Sequence, residues 1–118
     1  MITAVKILND ARHLIVQKGW IQGAYALSPS GGPSWPDDDS CGFCARGAML
    51  LAVRHLDYIN NYDQIDSAWN AFRSVTSTNI IKWNDKPVRT KEEVLAAFDN
   101  AIELVQADGA AEPNNKSD

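Results

Sequence analysis

The sequence predicts an all-α protein: a compact bundle of four main helices, one short helical turn, and a long aromatic-bearing loop after the first helix. Three observations carry that prediction. Apolar residues recur at helical spacing in four separate segments. Capping residues stand where those segments begin. No stretch alternates apolar and polar residues in the way a half-buried strand does.

The first helix is expected from Thr3 to Lys18. Ala4, Ile7, Leu8, Ala11, Leu14 and Ile15 share one face, and His13 points away from it toward solvent. Thr3 supplies an N-cap oxygen, and Gly19 is placed to end the helix in a left-handed conformation. Trp20 to Ser40 then holds Gly23, Pro29, Gly31, Gly32, Pro33 and Pro36, a composition that cannot continue a helix. Loops of that length are usually functional or disordered, and Trp20, Tyr25 and Trp35 argue for order because aromatics gain much from burial.

A second helix is expected from Cys41 to Asn60, capped by Asp39 or Ser40, with Asp37, Asp38 and Asp39 at the positive end of its dipole. Ala45, Ala48, Met49, Leu51, Ala52, Leu56 and Ile59 form a wide apolar face, and Leu50 and Val53 lie opposite. A helix apolar nearly all round is expected at the centre, with Gly47 and the alanines allowing a close neighbour. Asp63 is read as the cap of a third helix with the stripe Ile65, Ala68, Trp69, Phe72 and Val75, broken by Ser77, Thr78 and Asn79. A helical turn over Ile80 to Trp83 and a loop from Asn84 to Arg89 follow. Thr90-Lys91-Glu92-Glu93 is a capping box, and it opens a helix carrying Val94, Leu95, Phe98, Ala101, Ile102 and Val105 to about Ala107.

The 118 residues fit a single helical domain over 1–108, followed by a small, polar C-terminal tail over 109–118 that is expected to be disordered. Apolar residues make up 45% of the chain, enough for one core. The formal net charge is −4, from 15 acids against 11 bases, and no basic run appears, so nucleic acid is not an expected partner. No segment reaches the roughly 18 apolar residues of a membrane span, and no secretion signal is read at the N-terminus. Two cysteines in such a chain are expected as reduced thiols, which points to the cytoplasm.

The polar residues offer several chemistries. Cys41-Gly42-Phe43-Cys44 has the spacing of a redox pair, but the preceding acids oppose thiolate formation and no βαβ context surrounds it. Zinc needs four ligands, and the CxxC pair has only His13 and His55 to add, far apart in the chain. Asp37 to Asp39 lacks the calcium-loop pattern, since the twelfth position is Ala48 rather than Glu. A cysteine hydrolase built on Cys44 would need a base, and His55 lies about 16 Å along the same expected helix. His55 is instead expected to hydrogen-bond within or at the rim of the core. No catalytic residue, metal or cofactor is assigned. A softer constellation remains. Trp20 with Gln22, and Trp83 with Asn84 and Asp85, set polar groups beside aromatic walls, and Arg46 near a helix start suggests a nearby carboxylate or bound anion. The bland alternatives are core tryptophans, a turn at Asn84-Asp85, and an Arg46 paired with Asp37 to Asp39.

Gly19-Trp20-x-Gln22-Gly23-Ala24-Tyr25-Ala26, Cys44-x-x-Gly47-Ala48, and Trp83-Asn84-Asp85 with Arg89-Thr90-x-Glu92-Glu93-Val94 together resemble an uncharacterised bacterial and phage family known only as a domain of unknown function. The resemblance runs from about Val5 to Val105, with Cys41 and Phe43 as departures. It transfers no catalytic residue, and it implies a host–phage setting in which small acidic proteins often act by binding another protein.

Two functions follow. The first is a non-enzymatic binding protein, a phage or mobile-element accessory or anti-defence factor that engages a bacterial protein through Tyr25 and Trp35 on the loop. The second is a small-ligand-binding or cysteine-dependent hydrolytic domain with a site among Trp20, Gln22, Cys44, Arg46, Trp83, Asn84 and Asp85. A site requires those residues to converge around a cavity. An interface requires Tyr25 and Trp35 at the surface, beside a filled core.

Overall fold

The structure, a computed structural model, describes residues 3–111. Its elements in chain order are α1 (Ala4–Lys18), β1 (Ala26–Leu27), β2 (Pro33–Ser34), β3 (Gly42–Phe43), α2 (Ala45–Val53), α3 (Tyr58–Thr76), α4 (Ile80–Asn84) and α5 (Lys91–Ala111). The chain is predominantly helical, but it is not purely all-α. The loop after α1 carries a three-stranded antiparallel sheet in the order β2-β1-β3. Ala26 pairs with Ser34 and Phe43, and Leu27 with Pro33 and Gly42. Strands of two residues are too short to show alternation, so the sequence carries no strand signal for them. Pro33 is tolerated because β2 is an edge strand.

α1 begins as expected. Thr3 Oγ1 accepts the Lys6 N–H at 3.0 Å. Gly19 closes the helix with φ 123° and ψ 162°, a positive-φ extended conformation rather than the left-handed helical one. That geometry turns the chain sharply, and Trp20 then bridges to Phe43 in a parallel sense.

The second helix differs most from expectation. It is short, and Asp37 to Ser40 do not cap it. They form their own turn instead, in which Ser40 Oγ accepts the Asp37 N–H at 3.0 Å and Asp37 Oδ1 accepts the Asp39 N–H at 2.9 Å. Gly42 and Phe43 are strand, and Cys44 becomes the N-cap, with its Sγ accepting the Gly47 N–H at 3.3 Å. The helix stops at Val53. Asp57 starts α3 by accepting the Ile59 N–H at 3.0 Å, so Asp63 is not the cap but lies inside α3. A kink at Asn61 (φ −119°, ψ 15°) separates the first turn of α3 from the rest. Two expected core assignments fail for the same reason. His55 and Ile59 lie outside α2, and both are exposed. His55 Nε2 is 3.4 Å from the Arg54 guanidinium, at the surface rather than at the core rim.

The hub of the packing is α1, not α2. α1 lies against α2, α3 and α5, and α3 lies against α5. Ile7, Leu8, Ala11 and Ile15 are fully buried there with Met49, Phe72, Val94 and Phe98. The breadth of the α2 apolar surface has another cause: α2 packs against α1, α4 and the strand β3. The capping box of α5 is present, with Thr90 Oγ1 accepting the Glu93 N–H at 3.1 Å and Glu93 Oε1 accepting the Thr90 N–H at 3.0 Å. α5 continues through Ala111, past the position where the tail was expected to begin, and 112–118 lie outside the described residues.

Candidate functional site

Asn84 lies at the end of α4, and its side chain is completely buried. All of its hydrogen-bonding capacity is directed inward. Oδ1 accepts the indole N–H of Trp20 at 2.7 Å and the backbone N–H of Ala45 at 2.9 Å. Nδ2 donates to the Ile21 carbonyl at 3.1 Å and to Asp85 Oδ1 at 2.9 Å. Its backbone carbonyl accepts from Gln22 Nε2 at 2.9 Å, and the same Gln22 nitrogen donates to the Lys86 carbonyl at 2.8 Å. Asp85 Oδ1 also accepts the Gly23 N–H at 3.1 Å. Buried amides that satisfy four partners at once fix a unique geometry, because each lost bond leaves a desolvated group.

The structure thus brings Trp20, Gln22, Asn84 and Asp85 together, and they bond to one another and to backbone. They tie the loop after α1 to α4 and to the start of α2. Trp83 faces elsewhere. Its ring meets Phe72 edge-on at 5.8 Å, the Arg89 guanidinium stacks 4.0 Å above it, and Arg89 Nε donates to its carbonyl at 2.9 Å. Arg46 is apart from both groups. It lines a groove between α2 and α3 with Leu50, Val53, Trp69 and Arg73. It makes no ion pair with Asp37, Asp38 or Asp39; Asp38 pairs with Arg54 at 2.8 Å.

Cys44 borders a cleft of about 190 Å³ shared with Gly23, Ala24, Tyr25, Ile81 and Asp85. That volume falls below the range of about 300–1,000 Å³ typical of small-molecule sites. The thiol itself is buried. Desolvation pushes its pKa up, and the negative charge of Asp85 adds to this. The backbone N–H groups of Gly47 and Arg46 and the charge of Arg46 pull it down without overcoming burial. A thiol held protonated is a poor nucleophile. Neither histidine lines the Cys44 cleft: His13 and His55 both line a different groove, with Asp10 and Asp38. The nine residues of α2 lie between Cys44 and His55, a rise of about 14 Å.

The CxxC pair is equally unsuited to disulfide exchange. Cys41 is exposed, Cys44 is buried, and both are free. The two residues between them form β3, so their Cα atoms are about 10 Å apart at extended rise, against the ~7 Å limit for a disulfide.

Two contributors escaped the sequence reading. The Ala45 N–H and the Gly23 N–H are backbone groups, and no side-chain pattern marks them. Gly47 was legible as a point of close approach, and the neighbour is the Tyr25 carbonyl. A Cβ at Gly47 would stand 1.9 Å from that oxygen.

At the loop surface, Trp35 is 67% exposed. Tyr25 is half-buried and meets it edge-to-face, with ring centroids 5.3 Å apart. Among the described residues no cluster of His, Cys, Asp and Glu is arranged to hold a metal ion, and no helix is long and apolar enough to cross a membrane.

Fold and site together define a small, mainly helical domain whose aromatic loop is locked to the helical body by a buried asparagine. The chain belongs to a family of unknown function, DUF6197, whose model matches residues 1–104. No curated protein and no solved structure matches it.

Proposed function

We propose that this protein is a non-enzymatic binding module that grips a protein partner through the Tyr25–Trp35 face of its loop. The observation that carries the reading is the exposure of Trp35, 67%, on a segment that is otherwise firmly held. Exposed indoles on rigid supports are the usual anchors of interfaces, because they bury much area at little entropic cost. The support is specific here. Ser28 N–H donates to the Gly32 carbonyl at 2.8 Å, Cys41 N–H donates to the Leu27 carbonyl at 2.7 Å, and the Asn84 network anchors the start of the loop.

The setting of this reading is the cytoplasm of a bacterium, with a bacterial protein as partner and the chain serving a phage or other mobile element as an accessory or anti-defence factor. Nucleic acid is disfavoured by the net charge of −4. The alternative, a small-ligand or cysteine-dependent hydrolytic site at Cys44, is the weaker reading: the cleft is small, the thiol is held protonated, and the imidazoles line another groove.

A photo-crosslinking residue at position 35 tests the proposal in bacterial lysate. The expected result is one discrete crosslinked species that excess unmodified protein abolishes. Val88 is the control position, being 74% exposed and outside the loop. Equal crosslinking from positions 35 and 88 would reject the interface.

A further inference from the structure

The groove between α2 and α3 has a different chemistry from the loop face. It encloses about 370 Å³, inside the range of about 300–1,000 Å³ for small-molecule sites. Leu50, Val53, Ile65 and Trp69 give it apolar walls, and Arg46, Arg73 and Asp66 supply its charges. Two cations against one carboxylate make it locally positive in a chain of net charge −4.

Arg46 is the telling residue. Every other arginine among the described residues has a partner. Arg12 pairs with Asp99 at 2.8 Å, Arg54 with Asp38 at 2.8 Å, and Arg89 with Glu93 at 3.5 Å. Arg73 bonds Asn70 Oδ1, and Asn70 in turn donates to Asp66 Oδ2 at 3.0 Å, which engages one oxygen of the groove's carboxylate. Among the described residues the side chain of Arg46 has neither a hydrogen-bond nor an ion-pair partner, and its Nε is shut away from solvent. A guanidinium N–H hidden from water without an acceptor is costly. It stands in the first turn of α2, where the helix dipole adds positive potential. An anion in the groove would meet the terminal nitrogens of the guanidinium, balance its charge and offset the dipole potential.

We infer that the α2–α3 groove binds a small amphipathic carboxylate, its apolar body lying on Leu50, Val53 and Trp69 and its carboxylate paired with Arg46. Arginine favours that group because the planar fork matches a carboxylate in two hydrogen bonds. The inference is independent of the loop interface.

The test is a titration of the full ¹⁵N-labelled chain with 3-phenylpropionate and, separately, with its neutral amide. The expected result is saturable shifts of the Trp69 indole N–H and of amides in α2, with the acid binding about tenfold more tightly than the amide. R46Q should bring the acid down to the affinity of the amide and leave the amide unchanged, whereas R46K should retain part of the preference. The spectra themselves report whether each variant is folded. Acid and amide of equal affinity, an R46Q variant that keeps the preference, or no saturable shift up to the solubility limit would each overturn the inference.

Discussion

The side-chain oxygen of Asn84 accepts the backbone N–H of Ala45 at 2.9 Å, so a residue at the end of α4 caps the first turn of α2 across 39 positions of sequence. The same oxygen takes the Trp20 indole N–H, which makes one atom the junction of α2, α4 and the loop. Helix starts normally find their caps locally. Here the local cap, Cys44 Sγ, serves only Gly47, and the first N–H of the helix is satisfied from a distance.

Replacement of Asn84 therefore removes several buried partners together. N84A is expected to cost about 3–5 kcal/mol, because Trp20 Nε1, Ala45 N and the Ile21 carbonyl all lose their partner inside the protein. N84D keeps the acceptor but sets a carboxylate against the Ile21 carbonyl and Asp85, and it should be comparably harmful at neutral pH. Urea denaturation followed by far-UV circular dichroism measures both. A loss below about 1 kcal/mol for N84A would show that the network is not cooperative.

G47A sets two effects against each other. Alanine is favoured over glycine inside a helix by about 1 kcal/mol. The added methyl, however, would meet the Tyr25 carbonyl oxygen at 1.9 Å, and that atom is backbone held by the Cys44 N–H at 3.1 Å. The clash should win, with a net destabilisation of about 2 kcal/mol or more, as overpacking typically gives. Thermal and urea unfolding read the sign directly, and a stabilised G47A would contradict the close approach.

The two thiols should behave oppositely. An aromatic disulfide reagent is expected to modify Cys41 in the native protein and Cys44 only on unfolding. The pH dependence follows from the direction of the Cys44 shift. Burial raises its pKa in the folded state, so the protonated thiol favours folding. That contribution is whole below the unfolded value of about 8.5 and is lost as pH rises through the folded value. Wild type should therefore begin to lose stability relative to C44S as pH rises above about 8.5. Parallel pH profiles for the two proteins would remove burial as the governing cause.

W35A separates binding from folding. The indole is mostly in solvent, so its loss should change stability by no more than about 0.5 kcal/mol. Capture of the partner should fall by at least about tenfold, as for a hot-spot tryptophan. Denaturation curves and quantitative pull-down with the crosslinked partner give the two numbers. A W35A protein that binds normally would place the interface elsewhere.

Much of the helical framework was legible because its signals are local. The stripe Ala4, Ile7, Leu8, Ala11, Leu14 and Ile15 reads as a buried face, and it is one, with Leu14 partly buried against the core. Thr90 and Glu93 form the capping box that their spacing announces. Ser77 closes α3 with φ 61°, at the break expected there. Helical periodicity and capping depend on residues three or four apart, so a single chain displays them openly.

The loop and the site were decided by tertiary structure. Ala26, Ser34 and Phe43 each belong to strands of two residues, and only their pairing across the chain makes a sheet. The boundary of α2 moved from Cys41 to Ala45 because Gly42 and Phe43 hydrogen-bond to β1, an option that no helix-capping pattern reveals. Trp20, Gln22, Asn84 and Asp85 were singled out by type, but their roles depend on contacts spanning more than sixty positions. Arg46 shared a sequence neighbourhood with Cys44, yet it lines a different groove, because successive residues of a helix point about 100° apart. The sequence by itself determined where most of the helices lie and which faces they bury, since those follow from local periodicity. Only the tertiary structure decided that the asparagine is an interior clasp and that Arg46 is left without a partner among the described residues, since both outcomes depend on which distant groups reach the same point in space.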